Sequence, residues 1–432
     1  MSKKMGFWAV FSIVFGSQIG SGIFILPSTL GGYGKFGLFG WCTAGLGAIL
    51  LAMVFAELCS RFPKTGGPYA YVKTVFGTIP GFFVGWAYWL VSWVSNTVLV
   101  ISSISYLMPL IGGATPLQCL FYELILLSVI ILINCRGVEF SGTTELFLSI
   151  IKLATFVIVP CLLFPKFDAS NIAISEQYAN LSSVKLLDFV TIFCFWGFIG
   201  VECATTPAES VENPSKTIPL AIVSGTFCVA VIYLLNTTAV MGVIPNNVLA
   251  ASSAPFVDGI EVAVGKNTSL LMSVIASVVC IGTLNAWVLT SAQISFGLAK
   301  DGFMPEIFAA KNKNGAPRNS VLVCCLGMIP ILILTMDESL AAQISNIIDF
   351  SVKTFVIVYL ICCLALLKLL IKERKIVKTA ITVIASAFCI LLLAESSVKS
   401  LLISSLFFIS GLFMFPFVKK NWNLKNRNCC EI

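Results

Sequence analysis

The chain has 432 residues, of which 58% are hydrophobic and only 11% charged, and its formal net charge is +7. Because soluble globular domains carry about 25% charged residues, this composition excludes a soluble globular protein and indicates an all-α membrane protein that spans the lipid bilayer. The positive charge is explained by basic residues that flank the apolar segments, so no nucleic-acid partner is expected.

Twelve membrane spans are predicted, because each spanning helix needs about 20 apolar residues. In chain order, spans 1 to 12 cover residues 6–30, 36–60, 80–110, 117–135, 144–165, 187–206, 217–243, 268–298, 319–336, 341–371, 376–395 and 398–418. No segment between them is long enough for a soluble catalytic or receptor domain. Residues 1–432 are therefore expected to form a single membrane domain.

The distribution of Lys and Arg predicts the orientation of the spans. With a cytoplasmic N-terminus, twenty basic residues fall inside and five outside, and Lys152 and Lys353 fall within spans. The five outside residues are Lys35, Lys166, Lys185, Lys266 and Lys399. This bias predicts that both termini are cytoplasmic. The N-terminal segment lacks a small-residue cleavage site after a short apolar core, so span 1 is expected to be retained.

Span 1 is interrupted by residues 16–22, which read Gly-Ser-Gln-Ile-Gly-Ser-Gly. Three glycines and two serines within seven residues favour unwinding, because glycine loses the most backbone freedom in a helix. Unpaired backbone at membrane depth is tolerated only where it is buried in protein or lines a cavity. The segment therefore predicts the substrate site of a transporter, and close helix packing around the glycines is the alternative.

Span 6 carries a similar interruption, since Gly197, Gly200 and Pro207 break its apolar run. Spans 1 and 6 are five apart, so the interruptions occupy corresponding positions of two five-helix halves, about 6–165 and 187–371. Spans 11 and 12, about 376–418, follow these halves. The sequence predicts a five-plus-five inverted repeat, with spans 1 and 6 unwound around a binding site near the bilayer midplane.

Several short motifs occur in order along the chain. They are Gly-Ser-Gly-Ile-Phe-Ile-Leu-Pro at 20–27, Gly-Gly-Pro-Tyr-Ala-Tyr at 66–71, Trp-Gly-Phe-Ile-Gly-Val-Glu at 196–202, Val-Glu-Asn-Pro at 211–214 with Ile218-Pro219, Ser-Ala-Pro-Phe at 253–256, and Asp301-Gly302 with Pro305. With these motifs the chain resembles the bacterial basic amino acid and polyamine antiporters of the amino acid–polyamine–organocation superfamily, and the arginine/agmatine antiporters in particular. The resemblance implies a LeuT-like fold in the bacterial inner (cytoplasmic) membrane, a small amino acid or polyamine as substrate, and often a homodimer.

The interruption in span 1 suits the two ends of an amino acid. Amides of Ser21, Gly22 and Ile23 would begin the second half of the span, and a helix N-terminus favours a carboxylate. Carbonyl groups near Ile19 and Trp196, at the ends of the first half-helices, would receive the α-ammonium group. The other candidates for substrate binding, several of which the resemblance supplies, are Asn96, Gly197, Ile199, Thr283, Trp287 and Ser351.

The resemblance also implies a gate made of Tyr88, Trp196, Glu202 and Tyr359. Trp196 would cap the substrate, and Trp287 would stack near its aliphatic or guanidinium portion; an aromatic face attracts a cation by about 0.5–2 kcal/mol. Glu202 is a functional candidate on its own, because an unpaired charge within a membrane span is costly. The alternatives are core packing for the aromatic residues and a structural, hydrogen-bonded role for Glu202.

Three positions depart from the family pattern. Ser17 stands where the arginine/agmatine antiporters have asparagine, Gly197 replaces a common serine or alanine, and Thr283 replaces a frequent serine. The motifs therefore leave open which amino acid or amine is carried.

Two charged groups within spans have open roles. Asp349 and Lys353 are four residues apart on one helix, so they can form an ion pair, or Asp349 can bind a cationic side chain. Lys152 in span 5 matches a lysine of proton-coupled permeases in the superfamily, where its ammonium group replaces a sodium ion. Pairing of Lys152 with Glu123 is the structural alternative.

The sequence thus predicts a secondary active transporter, not an enzyme, that exchanges a basic amino acid for its decarboxylated amine or for another amino acid by alternating access. The alternative is a proton-coupled amino acid permease that uses Lys152 or Glu202. No cofactor or metal site is expected, because the chain has no histidine and its 16 cysteines are scattered through apolar spans.

Overall fold

The computed structural model describes residues 4–64, 66–112, 115–208, 211–252, 254–336, 340–394 and 398–429. The helices are α1 (Phe7–Gln18), α2 (Ser21–Gly31), α3 (Lys35–Arg61), α4 (Pro68–Phe76), α5 (Thr78–Val94), α6 (Asn96–Ser105), α7 (Met108–Ile111), α8 (Pro116–Cys135), α9 (Val138–Leu163), α10 (Ser183–Trp196), α11 (Pro214–Val243), α12 (Asn246–Ala251), α13 (Pro255–Ala263), α14 (Lys266–Lys300), α15 (Arg318–Thr335), α16 (Leu340–Glu373), α17 (Ile376–Ala394) and α18 (Val398–Cys429). An isolated β-bridge joins Met5 to Val211, and no sheet forms within these ranges. Ser253, from one of the motifs above, lies outside the described residues.

Eleven segments in the described part of the chain are long and apolar enough to cross a membrane. They correspond to predicted spans 1 to 5 and 7 to 12. Predicted span 6 corresponds to α10, which has only 14 residues and is shorter than a continuous spanning helix. The prediction of an all-helical, multi-pass membrane protein is confirmed, whereas the count of twelve spans, the single-domain assignment and the inverted repeat stay predictions.

The spans differ in how deeply they are buried within the protein. In the most apolar part of α5 and α6 together, 83% of the residues are buried, and the corresponding share for α1 and α2 is 72%. For the part of α18 from Val398 to Pro416 the share is 17%, so most of the surface of this part faces outward. Broken span 1 therefore lies in the protein interior, where its unpaired backbone groups can find protein partners.

Buried amide side chains connect several of the inner helices. Asn134 of α8 donates from Nδ2 to Oδ1 of Asn285 in α14, at 3.0 Å. Asn236 of α11 donates from Nδ2 to the carbonyl oxygen of Phe156 in α9, also at 3.0 Å. Such polar contacts stabilise helix association where the hydrophobic effect between helices is weak, and they fix α9, α11 and α14 around the site described next.

Charged residues connect the helix ends on the predicted cytoplasmic side. Arg61, at the end of α3, contacts Glu57 at 2.7 Å and Glu373 at 2.5 Å. Lys378 of α17 binds the second oxygen of Glu57 at 2.6 Å. The ends of α3 and α16 and the start of α17 are thereby held together.

Candidate functional site

Span 1 is divided into two helices with facing ends. α1 ends at Gln18, Ile19 is extended (φ −81°, ψ 98°), Gly20 has φ −139° and ψ −141°, and α2 begins at Ser21. The last carbonyl groups of α1 and the first amides of α2 therefore have no partner within their own helices.

Side chains from three other helices satisfy the four carbonyl groups at the end of α1. The donor–acceptor pairs are Lys152 Nζ to Gly16 O (3.0 Å), Trp287 Nε1 to Ser17 O (2.9 Å), Tyr233 OH to Gln18 O (2.7 Å) and Thr283 Oγ1 to Ile19 O (2.6 Å). The donors belong to α9, α11 and α14. Because a carbonyl oxygen has two lone pairs, the carbonyl groups of Ser17, Gln18 and Ile19 retain capacity for a second donor such as an ammonium group.

The N-terminus of α2 has no such partners among its flanking side chains. Gly20 precedes it and no side chain caps it. The hydroxyl of Ser21 is buried without a hydrogen-bond partner among the described residues, and so is Nδ2 of Asn96 in α6. Since buried polar groups are normally hydrogen-bonded, these groups are suited to contacting a polar ligand.

A cavity of about 30 Å³ lies between the two parts of span 1, α6, the end of α10, and α14. Eight predicted substrate-binding residues line it: Ser21, Gly22, Asn96, Trp196, Gly197, Ile199, Thr283 and Trp287. Five further lining residues were not among the predicted binding residues: Ser17, Gln18, Gly20, Ser95 and Leu99. A water molecule needs about 10–15 Å³ by this measure, so an amino acid would fit only after the surrounding helices or side chains move.

Three predicted binding residues lie outside this lining in the described structure. Ile19 is buried, and its carbonyl group is bound by Thr283. Ile23 is fully buried in α2. Ser351 of α16 is also buried, and its hydroxyl has no partner among the described residues.

The end of α10 lies directly against the start of α2. A Cβ atom added at Gly22 would lie 3.2 Å from Cδ1 of Trp196 and 3.5 Å from Cα of Gly197. After Trp196 the backbone continues in short turns, in which the amides of Gly197, Phe198 and Ile199 bond to carbonyl groups three residues earlier. Any side chain at Gly22 would press on Trp196, so the close packing of the two chain interruptions requires glycine at this position.

Gly200 fixes the direction of the chain after α10. Its φ of +108° is a conformation that L side chains rarely adopt. A Cβ atom there would lie 3.1 Å from both Ser17 Oγ and Trp287 Cζ2. The Ser17 hydroxyl donates to the carbonyl group of Gly200 at 3.2 Å, which connects the two interruptions directly.

Glu202 is fully buried and receives two phenol hydrogen bonds. Tyr88 of α5 donates to Oε1 at 2.7 Å, and Tyr359 of α16 donates to Oε2 at 2.5 Å. Phe355 contacts the rings of Tyr88 and Trp287, with centroids 5.8 Å apart in each case. The predicted gate residues other than Trp196 thus form one cluster, and Phe355 connects it to the cavity wall.

Lys152 is fully buried at the end of α1. Besides the Gly16 carbonyl group, its ammonium group contacts Thr283 Oγ1 at 2.9 Å. No ion pair with Glu123 forms in the described structure. The lysine therefore places a cation beside the cavity, adjacent to α1 and α14.

Asp349 and Lys353 form the ion pair that their spacing predicts. The hydroxyl of Ser400 in α18 donates to the other carboxylate oxygen of Asp349. Neither charged residue lines the cavity in the described structure. This arrangement favours a structural pair that joins α16 to α18, rather than a contact with a cationic substrate.

The chemistry of the cavity follows from its uncharged lining. The lining residues in the described structure carry no formal charge, so polar contacts come from peptide dipoles, hydroxyl and amide groups, and the indole rings. Carbonyl ends of a helix attract cations and amide ends attract anions. The combination suits a zwitterion, and Trp196 and Trp287 offer aromatic faces to a second cationic group.

Sequence reasoning missed Tyr233 and Phe355, which hold the α1 end and the Glu202 cluster. A tyrosine within an apolar span signals a hydrogen-bond partner in the interior. The sequence does not show that this partner is Gln18, 215 residues away. Phe355 carries no sequence signal that separates it from other buried phenylalanines.

Known proteins are similar in sequence to nearly the whole chain. Residues 5–425 match the amino acid permease family. The cadaverine/lysine antiporter of Escherichia coli (strain K12) is 27% identical over 430 residues, which cover 97% of this chain and 95% of that protein. The putrescine transporter PotE of Haemophilus influenzae is 27% identical, with 98% of this chain and 99% of that protein covered.

A third relative is the putative arginine/ornithine antiporter of Bacillus subtilis (strain 168), which is 26% identical with 98% of both chains covered. The family match and these relatives are transporters, not enzymes, and the predicted resemblance to basic amino acid and polyamine antiporters is confirmed. A match that extends over almost all 432 residues assigns the fold and the class of protein together: the chain belongs to the amino acid permease family.

Proposed function

We propose that the protein exchanges a basic amino acid for its decarboxylated amine, or for another amino acid, by alternating access across a bacterial inner membrane. Arginine with agmatine is the first pair to test, because the chain resembles the arginine/agmatine antiporters, although Ser17, Gly197 and Thr283 depart from their pattern. The cadaverine/lysine, putrescine and arginine/ornithine transporters among its relatives support substrates of this class.

The observation that carries the proposal is the meeting of opposite helix ends at one cavity. The carbonyl groups of Ser17 and Gln18 end α1, the uncapped amides of Ser21 and Gly22 begin α2, and all four residues line the cavity. The first pair suits an α-ammonium group and the second a carboxylate. An amine product lacks the carboxylate but keeps a cationic group that can contact the same carbonyl oxygens.

The small cavity supports alternating access rather than a continuous pore. At about 30 Å³ it is far smaller than an amino acid. The Tyr88–Glu202–Tyr359 cluster is joined to the cavity wall through Phe355, and Trp196 lies against the start of α2. Loading and release would therefore require these side chains to separate in turn.

Counterflow in proteoliposomes tests the proposal. Vesicles loaded with unlabelled arginine, lysine, ornithine, agmatine, putrescine or cadaverine should accelerate uptake of the matching labelled compound, compared with empty vesicles. The same vesicles without protein are the control. If none of the six compounds accelerates uptake by the active, folded protein, the proposal is wrong.

Lys152 favours a second candidate function, a proton-coupled amino acid permease. Its buried ammonium group contacts Gly16 and Thr283 at the end of α1, and it stands where the resemblance places the lysine of proton-coupled permeases. A pH gradient alone should then drive net uptake into empty vesicles. An exchanger would show little net uptake under those conditions.

A further inference from the structure

Tyr233 of α11 touches both interrupted spans. Its hydroxyl donates to the carbonyl oxygen of Gln18 at 2.7 Å, and its ring is fully buried. The ring stacks on Trp41 of α3, with centroids 4.4 Å apart and planes 11° apart. At the edge of this stack, a Cβ atom added at Gly197 would lie 3.0 Å from both Tyr233 Cε2 and Trp41 Cη2.

We propose that Tyr233 is a positioning residue that fixes the direction of the Gln18 carbonyl group, to which the ammonium group of a substrate binds. This inference rests on the proposed function, since it requires substrate at the break in span 1. The Gln18 carbonyl lies at the end of α1 and has no partner in its own helix. One hydrogen bond from Tyr233 orients it and leaves one lone pair for the ligand.

A second residue of α11 holds the side chain of the same glutamine. Thr226 Oγ1 accepts a hydrogen bond from Gln18 Nε2 at 3.1 Å. Thr226 and Tyr233 are seven residues apart, about two helical turns, so they lie on one face of α11. Backbone and side chain of Gln18 are both bound to that face, which limits the rotation of its peptide group.

The stacked rings determine why position 197 is glycine in this chain. Phe198 adds a third ring, with its centroid 5.6 Å from that of Tyr233 and 5.9 Å from that of Trp41. Even an alanine methyl group at 197 would press on Trp41 and Tyr233, and we expect the shifted ring to weaken its hydrogen bond to Gln18. The glycine that the sequence shows in place of serine or alanine is thus matched to the Trp41–Tyr233 stack.

The test compares Tyr233→Phe with Tyr106→Phe in the full-length protein, with labelled lysine and labelled arginine as probes in counterflow. Tyr233→Phe keeps the stacked ring and removes only the donor. Tyr106 is equally buried, but its hydroxyl has no partner among the described residues, so its loss controls for removal of a buried phenol oxygen. We expect Tyr233→Phe to raise KM about three- to tenfold, with maximal exchange per folded protein within about twofold.

An unchanged KM in Tyr233→Phe overturns the inference, and so does an equal rise in Tyr106→Phe. A loss confined to maximal rate or to the amount of folded protein also overturns it, because that is the result of a purely structural role. If the wild-type protein shows no saturable exchange, the proposed function fails as well. Saturable wild-type exchange with an unchanged KM in the variant rejects this inference alone.

Gly197→Ala gives an independent test through the shape of the stack. Like Tyr233→Phe, it should raise KM, because we expect it to displace the Tyr233 hydroxyl. In the double variant with Tyr233→Phe the increase should be close to that of Tyr233→Phe alone, since the hydrogen bond is already absent. Additive effects of the two substitutions would show that Gly197 does not act through the Tyr233 hydroxyl. They would overturn the proposed link between Gly197 and the Tyr233–Gln18 hydrogen bond.

Discussion

The two interrupted spans end their first helices in different ways. At the end of α1, each of four carbonyl groups is bound by a side chain from another helix. At the end of α10, the carbonyl groups of Cys194, Phe195 and Trp196 are bound by backbone amides three residues later. The first end is completed by tertiary structure, and the second is closed by its own chain.

This difference indicates which end can respond to a ligand. The α1 carbonyl groups are bound by side chains of other helices, and a substrate ammonium group can bind to the lone pairs that remain. The α10 carbonyl groups are held by the local turns that lead to Gly200 and Glu202. We therefore expect substitutions around the α1 end to change substrate affinity, and those around Glu202 to change mainly the switching between states.

Among substitutions that test the difference between the two helix ends, Lys152→Met should reduce exchange the most. It removes the donor to Gly16 and the cation beside the cavity, and hydrogen bonds to charged groups contribute about 1.5–3 kcal/mol. We expect exchange to fall at least tenfold in counterflow, measured per folded protein. Lys35→Met, at an exposed position, is the control. Wild-type exchange by Lys152→Met would show that the α1 end does not need this donor.

Trp287→Leu should weaken binding of a cationic substrate about tenfold. It loses both the hydrogen bond to the Ser17 carbonyl group and the aromatic face, which contribute about 0.5–1.5 and 0.5–2 kcal/mol respectively. Trp287→Phe keeps a ring without the donor and should lose only about threefold. Binding is measured by isothermal titration with arginine, lysine and cadaverine. An unaltered affinity in the leucine variant would place the pocket elsewhere.

Glu202→Gln should change the pH dependence of exchange while leaving KM within about twofold. The amide keeps the shape of the carboxylate between Tyr88 and Tyr359 but cannot take up or release a proton. Exchange rates measured between pH 5 and 8 should vary less with pH than those of the wild-type protein. Identical profiles for the two proteins would remove Glu202 from any coupling mechanism.

Ser17→Ala should have the smallest effect. It removes the direct hydrogen bond from the α1 end to the Gly200 carbonyl group, which contributes about 1 kcal/mol to the free energy of unfolding. Thermal unfolding in detergent should show a small loss of stability, with exchange reduced no more than about threefold. Ser128→Ala, an exposed hydroxyl bonded within its own helix, provides the matched control. A tenfold loss of exchange would mean that the two interruptions are coupled more strongly than this bond suggests.

Much of the site was predictable because glycine destabilises a helix at its own position in the chain. Residues 16–22 contain three glycines, and α1 ends within that segment at Gln18. Gly197 and Gly200 follow Trp196, where α10 ends. The spacing of Asp349 and Lys353 predicted their ion pair for the same reason, since four residues bring two side chains together on any helix.

The partners across helices were not predictable in the same way. For Lys152 the sequence left pairing with Glu123 open, and the structure directs its ammonium group to Gly16 and Thr283 instead. Tyr233 binds a residue 215 positions earlier in the chain. Which face of an apolar helix points inward depends on how all the helices pack, and an apolar span offers similar side chains on every face.

By itself, the amino-acid sequence determined that the chain crosses a membrane as helices, that span 1 breaks near Gly20, and that the break leaves peptide groups without helical partners. Those outcomes follow from apolar length and from backbone freedom, which are properties of a few neighbouring residues. Only the tertiary structure decided which side chains donate hydrogen bonds to the carbonyl groups at this break, namely those of Lys152, Tyr233, Thr283 and Trp287. Hydrogen-bond donors from distant positions reach one helix end only after the surrounding helices have packed.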